Sequence, residues 1–165
     1  MLRQFRCANP GVPWEVEVER HVQEDLIDWA LEPLARSQDP RVLLVFDRQS
    51  GELVGVAAHE RVHFRDGQRR YAATKLHVTA VALGWQGRRF ETGQRASDVV
   101  MVAVMTDVSQ RVPRRDARVY AIVHQENLRS IRLCQRHGLL EELSRPDPSY
   151  RRLVTTRRTA KPRAS

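Results

Sequence analysis

The apolar residues of this 165-residue chain change period near Pro40, and that change limits the fold more than any other feature. From about Glu15 to Arg36, Val18, Val22, Leu26, Ala30 and Leu34 recur at near-helical spacing with acids between them. Pro33 predicts a break or kink near the end of this helix, and Asp39-Pro40 closes it. Beyond that point Val42–Phe46, Leu53–Val62 and Tyr71–Leu83 read as three strands. The turns Arg48-Gln49-Ser50-Gly51 and Asp66-Gly67 separate them, so they form an antiparallel meander. Alternation in the third places Leu76, Val78 and Ala80 on one face and His77, Thr79 and Val81 on the other.

The remaining elements alternate. Leu2–Phe5 reads as a short first strand ended by Asn9-Pro10-Gly11. After a polar loop from Gly84 to Arg95, the apolar run from Val99 continues through Val108 to Val112 without a breaker before Pro113, which makes it a buried helix. Arg118–His124 is an interior strand. Asn127–His137 is a helix with Asn127 as N-cap and Gly138 at the left-handed position past its end. Leu139–Leu143 and Tyr150–Thr156 finish as strands around Pro146-Asp147-Pro148. The order β-α-β-β-β-α-β-α-β-β predicts an α/β sandwich: a mostly antiparallel sheet of six to seven strands with helices on both faces.

A chain of this length forms one domain, expected over 1–157, followed by a basic tail over 158–165. No run approaches the roughly 20 apolar residues of a membrane helix, and the N-terminus lacks the apolar core of a secretory signal. A cytoplasmic protein with no membrane partner is therefore expected. Cys7 and Cys134 are far apart and read as free thiols. His59 and His63 have no third ligand nearby, so no metal is expected. The net charge of +8 comes mainly from arginine, and such a field attracts polyanions, among them RNA or a phosphate-bearing cofactor.

Two segments carry chemistry. In the first, the strand through Val81 and Leu83 runs into Gln86-Gly87-Arg88-Arg89, then Gly93-Gln94-Arg95 and a helix from about Ala96. A loop between a strand end and a helix N-terminus presents unpaired N–H groups and positive potential, and its glycines let backbone approach an oxyanion. In the second, the strand through Val123 runs into a helix capped by Asn127, with Ser130 three residues on and Gly138 at its end.

In this order and separation the two segments resemble the cofactor motifs of the GNAT acetyltransferase superfamily, and the resemblance extends from Leu2 to Thr156. It implies a three-layer fold whose fourth and fifth strands, here Tyr71–Leu83 and Arg118–His124, part like a V around acetyl-CoA. Val81 and Leu83 would then offer N–H groups to the cofactor, one of them near the thioester carbonyl, where a donor stabilises an oxyanion. Gln86, Gly87, Arg88, Arg89, Gly93, Gln94 and Arg95 would cradle the pyrophosphate, with Asn127 and Ser130 along the pantetheine arm. This chain departs from the pattern in two places. Arg88–Thr92 forms a small insertion before Gly93. Cys134 stands where many members carry a tyrosine acid, and it reads either as that acid or as a small core residue.

The resemblance implies an N-acetyltransferase in which a primary amine attacks directly in a ternary complex. His77 and Glu60 are the candidate bases, with His124 a third. The acids Glu15, Glu17, Glu24, Asp25 and Asp28 either favour a cationic acceptor, such as a polyamine, an aminoglycoside or a lysine, or form a solvated helix face. The alternatives are an RNA-directed acetyltransferase using the arginines, and a non-catalytic binding module. A homodimer is compatible with the resemblance.

Overall fold

The computed structural model describes residues 1–32, 38–66, 69–111, 118–142 and 148–155, with the backbone alone for 64–66 and 69–71. The expected break at Pro33, the Gly67 half of the second turn, the stop at Pro113, most of the Pro146-Asp147-Pro148 turn, Thr156 and the basic tail lie outside the described residues.

Six strands form one open sheet: β1 (Gln38–Phe46), β2 (Leu53–Asp66), β3 (Arg69–Val81), β4 (Arg118–His124), β5 (Leu139–Glu141) and β6 (Tyr150–Thr155). Their order is β1-β2-β3-β4-β6-β5, antiparallel throughout except for the parallel pair β3–β4. A short turn joins β1 to its antiparallel neighbour β2, whereas β4 meets β6 antiparallel with α4 and β5 between them in the chain. The parallel pair is joined by α3 (Ala96–Arg111), the crossover that a parallel connection needs. Helices α1 (Pro13–Arg20) and α2 (Leu26–Leu31) cover one face of the sheet; α3 and α4 (Leu128–Arg136) cover the other.

The long N-terminal helix is one rod with a π segment, His21–Asp25, between α1 and α2. The predicted contact residues Val18, Val22 and Leu26 are four apart, and a wider turn keeps such a spacing on one face where 3.6 residues per turn would let it drift. Val22 and Leu26 are fully buried against Val56, Ala58, Val78 and Ala80. On the opposite face, Val100, Met101, Val104 and Val108 of α3 meet Ile131, Leu133 and Cys134 of α4 and Leu153 of β6. Helix α3 lies directly on β2: a Cβ at Gly55 would sit 2.5 Å from Val100 Cγ2 and 2.8 Å from the Ala80 carbonyl oxygen.

Two expectations change. Leu2–Phe5 is not a strand: Leu2–Gln4 is a 3₁₀ turn, and Leu2 and Phe5 fill the core beneath the rod. The following N–H groups of Cys7 and Ala8 donate to the Glu19 carboxylate at 2.7 and 2.9 Å instead of to a neighbouring strand. The alternation in β3 also breaks. Ala58 pairs with Val78 but His59 pairs with Leu76, so His77 is the extra residue of a β-bulge. Leu76 therefore packs under α3, whereas Val78 and Ala80 pack under the rod.

Candidate active site

The parallel pair supplies the opening. β3 and β4 are bonded only from Ala73↔Arg118 to Leu76↔Ala121, and beyond that point they splay. Ala82 N–H donates to Val54 O on β2 at 2.8 Å, so strand alternation aims the N–H of Val81 at the other side, into the gap. A cleft of about 560 Å³ occupies the splay. Thr79, Ala80 and Val81 form its floor, and the 86–97 loop and helix α4 form one wall. Cys7, Trp14, Glu15 and Val18 form the opposite wall.

Each wall residue is held for a local reason. Gly87 takes φ +76, a conformation other residues resist, and turns the chain after Gln86. Gln86 ties the loop down, its Nε2 donating to Cys7 O at 2.7 Å and Val81 O at 3.3 Å. The insertion folds on itself as a small hairpin: Ala96 N–H donates to Arg88 O, Phe90 N–H to Gln94 O, and Arg89 faces Arg95. Asn127 caps α4 as predicted, its Oδ1 accepting from Ser130 N–H at 3.0 Å, and Gly138 takes φ +83 beyond the helix. Those bonds leave the Asn127 amide NH₂ and the Ser130 hydroxyl for a ligand.

Charge distinguishes the walls. Arg88, Arg89, Arg95, Arg129, Arg132 and Arg136 line one side, and among the described residues only Arg136 of these has an ion-pair partner. That partner is Asp98, 2.8 Å away, which also accepts from His137. Burial would raise the Asp98 carboxyl, but the bonds from Arg136 and His137 outweigh it and hold it low. Its charge is thus turned to α4 and does not line the cleft. On the other wall Glu15 is the one lining carboxylate. Cys7 is held as a thiol: burial, then the charges of Glu19 and Glu15, push it up to about 12.

The structure gathers Val81, Gln86, Gly87, Arg88, Arg89, Arg95, Asn127 and Ser130 in this cleft. It does not gather the rest. Leu83 is half-exposed outside it, and its N–H is already donated to Arg6 O at 2.7 Å. Gly93 and Gln94 make the hairpin tip, away from the lining. Cys134 is buried in the core, where burial pushes its thiol up to about 11. Glu60 is buried opposite Lys75, 3.7 Å away. The bulge turns His77 toward the rod, stacked on Trp29 at 4.4 Å and edge-on to His21; burial, then Lys75 and His21, lower it to about 4. His124 stacks on Trp14, which lines the cleft, but does not itself line it. His59 donates or accepts with Asp107 at 2.8 Å.

Sequence reasoning missed Trp14 and the arginines of α4. The latter carried a signal: Arg129, Arg132 and Arg136 follow a helical stripe. Trp14 carried none, since its place depends on how the rod packs.

No protein-family model matches the chain. No curated protein matches it in sequence. Solved structures do match its shape. A mutant of the AtaT toxin, bound to acetyl-CoA and the C-terminus of the antitoxin AtaR, aligns at TM-score 0.64 and 12% identity over 94% of this chain and 85% of that one. AtaT complexed with acetyl-methionyl-tRNAfMet aligns at 0.63 and 10% identity, covering 93% and 86%. A putative acyl-CoA N-acyltransferase from Klebsiella pneumoniae aligns at 0.55 and 15% identity, covering 93% and 97%. The PaiA N-acetyltransferase from Thermoplasma acidophilum, with coenzyme A, aligns at 0.56 and 11% identity, covering 87% and 77%.

Proposed function

We propose that this chain, which has the fold of the GNAT acetyltransferases, binds acetyl-CoA in the splayed cleft and acetylates a primary amine by direct attack. One observation carries this reading. Five arginines without an ion-pair partner among the described residues converge on a single cleft, beside a strand edge with an unpaired N–H. Unpaired cations gathered at one place suit a polyphosphate ligand, and arginine suits phosphate through its forked donors.

The residues fit that ligand part by part. Arg88, Arg89 and Arg95, with the N–H groups of Gly87 and Ser97, would hold the pyrophosphate at the start of α3. The Val81 N–H, the Asn127 amide and the Ser130 hydroxyl would hold the pantetheine arm. When bound, acetyl-CoA supplies an activated acetyl group that an amine can take. The chain's own residues orient the two reactants and exclude competing arrangements, and Val81 N–H lies on the strand edge where an oxyanion donor is needed. Neither Cys134 nor Glu60 lines the cleft, and His77, lowered to about 4, is a weak base at neutral pH. The amine's proton therefore leaves to solvent through the open mouth.

The RNA-directed reading has less support. Arg6, Arg20, Arg41, Arg111, Arg136, Arg151 and Arg152 are already paired with carboxylates. Among the described residues, five of the six arginines that line the cleft have no carboxylate partner. Thermal unfolding with acetyl-CoA, coenzyme A and ATP tests the assignment. A ligand of the native state at a hundredfold excess over Kd adds about 2.7 kcal/mol of stability. Acetyl-CoA and coenzyme A should raise the midpoint and ATP should not. No shift at millimolar acetyl-CoA would remove the transferase reading.

A further inference from the structure

On its α1 side the cleft has a mouth lined by Trp14 and Glu15, and Trp14 leads from it onto the face of β4 and β6 that carries His124 and Tyr150. We propose that this mouth is the acceptor site and that it takes a small monoamine carried on an aromatic or apolar body. The inference rests on the transferase reading above.

Charge sets the number of ammonium groups. Of the acids on the rod, Glu19 is engaged by Arg6 and by the N–H groups of Cys7 and Ala8, and Glu24 and Asp25 face Arg20 at 3.7 and 3.9 Å. Only Glu15 lines the cleft, with one oxygen accepting from Asn9 N–H at 2.7 Å. One carboxylate can anchor one ammonium. A polyamine or an aminoglycoside distributes several cations, and among the described residues the cleft lining holds no further carboxylate to meet them.

The surface beside Glu15 sets the body of the acceptor. Trp14 stacks on His124 with centroids 5.9 Å apart at 16°, and His124 meets Tyr150 edge-on at 5.4 Å and 89°. His124 and Tyr150 are cross-strand partners, so their side chains share one face of the sheet, and alternation puts Ile122 on that face too. Ile122 is 50% and Tyr150 38% exposed. The rod covers β1 to β3, while α3 and α4 lie on the far side, so among the described residues no helix covers this patch. It is continuous with the cleft through Trp14. A flat apolar group would lie against it while its ammonium sits at Glu15, an arrangement that also lets the aromatic faces attract the cation.

In the reaction the amine nitrogen bonds to the acetyl carbonyl carbon as the carbon–sulfur bond breaks. Before attack the bound ammonium gives one proton to water, and after attack the nitrogen loses a second as the departing thiolate takes one. Release of free thiol from acetyl-CoA measures this directly for tryptamine, 2-phenylethylamine, spermidine, an aminoglycoside and a lysine peptide. The expected result is a kcat/KM for the two arylalkylamines at least tenfold above that for spermidine or the aminoglycoside. Tyr150→Ala and Glu15→Gln should each raise the arylalkylamine KM about tenfold or more, with the larger part of the effect in KM and not in kcat. Equal or better turnover of spermidine, the aminoglycoside or the peptide would overturn the inference. So would unchanged KM values in both variants. If acetyl-CoA still raises the unfolding midpoint but no arylalkylamine is acetylated, this inference fails alone; if that shift is also absent, the transferase reading fails with it.

Discussion

The two walls of the cleft differ in charge and are finished differently: six arginines line one, and Glu15 is the one charged side chain lining the other. Beside the α1 wall Glu19 is satisfied within the protein, while Glu15 accepts from Asn9 N–H through one oxygen only. Glu19 accepts two backbone N–H groups and an Arg6 guanidinium, which together fix the N-terminal segment where a strand was expected. On the α3–α4 wall the arginines have no carboxylate partner among the described residues, apart from the Arg136–Asp98 pair. Clustered like charges repel, so a folded chain keeps such a group only at some cost to stability. A charge completed internally, as at Glu19, serves the fold, and charges left incomplete are available to a ligand.

Removing the incomplete charge is the severest way to break this comparison. Replacing Arg88, Arg95 and Arg132 together by alanine should weaken acetyl-CoA binding by roughly a thousandfold or more, since each charge-assisted contact contributes roughly 1.5–3 kcal/mol. Titration calorimetry measures this, and the unliganded protein should be no less stable than the parent. Binding within a fewfold of the parent would mean that the arginines serve some other purpose.

The complementary test acts on the completed wall. Glu19→Gln should cost about 1–3 kcal/mol of stability in denaturant unfolding, because two buried N–H groups lose a charged acceptor. Burial alone would raise the Glu19 carboxyl, but the N–H groups of Ala8 and Cys7 and the Arg6 charge hold it below its ordinary 4.5. A depressed carboxyl stabilises fully above its unfolded value and loses that contribution as pH falls through the folded one. The parent and variant curves should therefore differ above about pH 4.5 and converge on acidification. Curves that stay parallel to low pH would assign the effect to packing.

The smallest expected effect concerns Cys134. Cys134→Ala should lower stability by about 1 kcal/mol, as loss of a small buried group does, and leave kcat within about twofold. A fall in kcat of tenfold or more, with stability little changed, would return Cys134 to the reaction and show that the α4 wall does more than bind.

Much of the architecture was legible because its signals are local. The order of elements after residue 38, the cap at Asn127 and the left-handed Gly138 follow from periodicity and short-range capping. The chain also determined the composition of the cleft loop, since strand, Gln86-Gly87 and helix N-terminus are contiguous in it. Where a side chain ends up relative to a distant neighbour was decided only by tertiary packing. One inserted residue at the β3 bulge turned His77 toward the rod, and the depth of α4 packing buried Cys134. The pairing of Asp98 with Arg136, 38 positions apart, took a negative charge away from the cleft. The position of the rod brought Trp14 to the mouth. Periodicity reports which face a residue takes within its own element, whereas burial and ion pairing depend on which elements meet across the sheet.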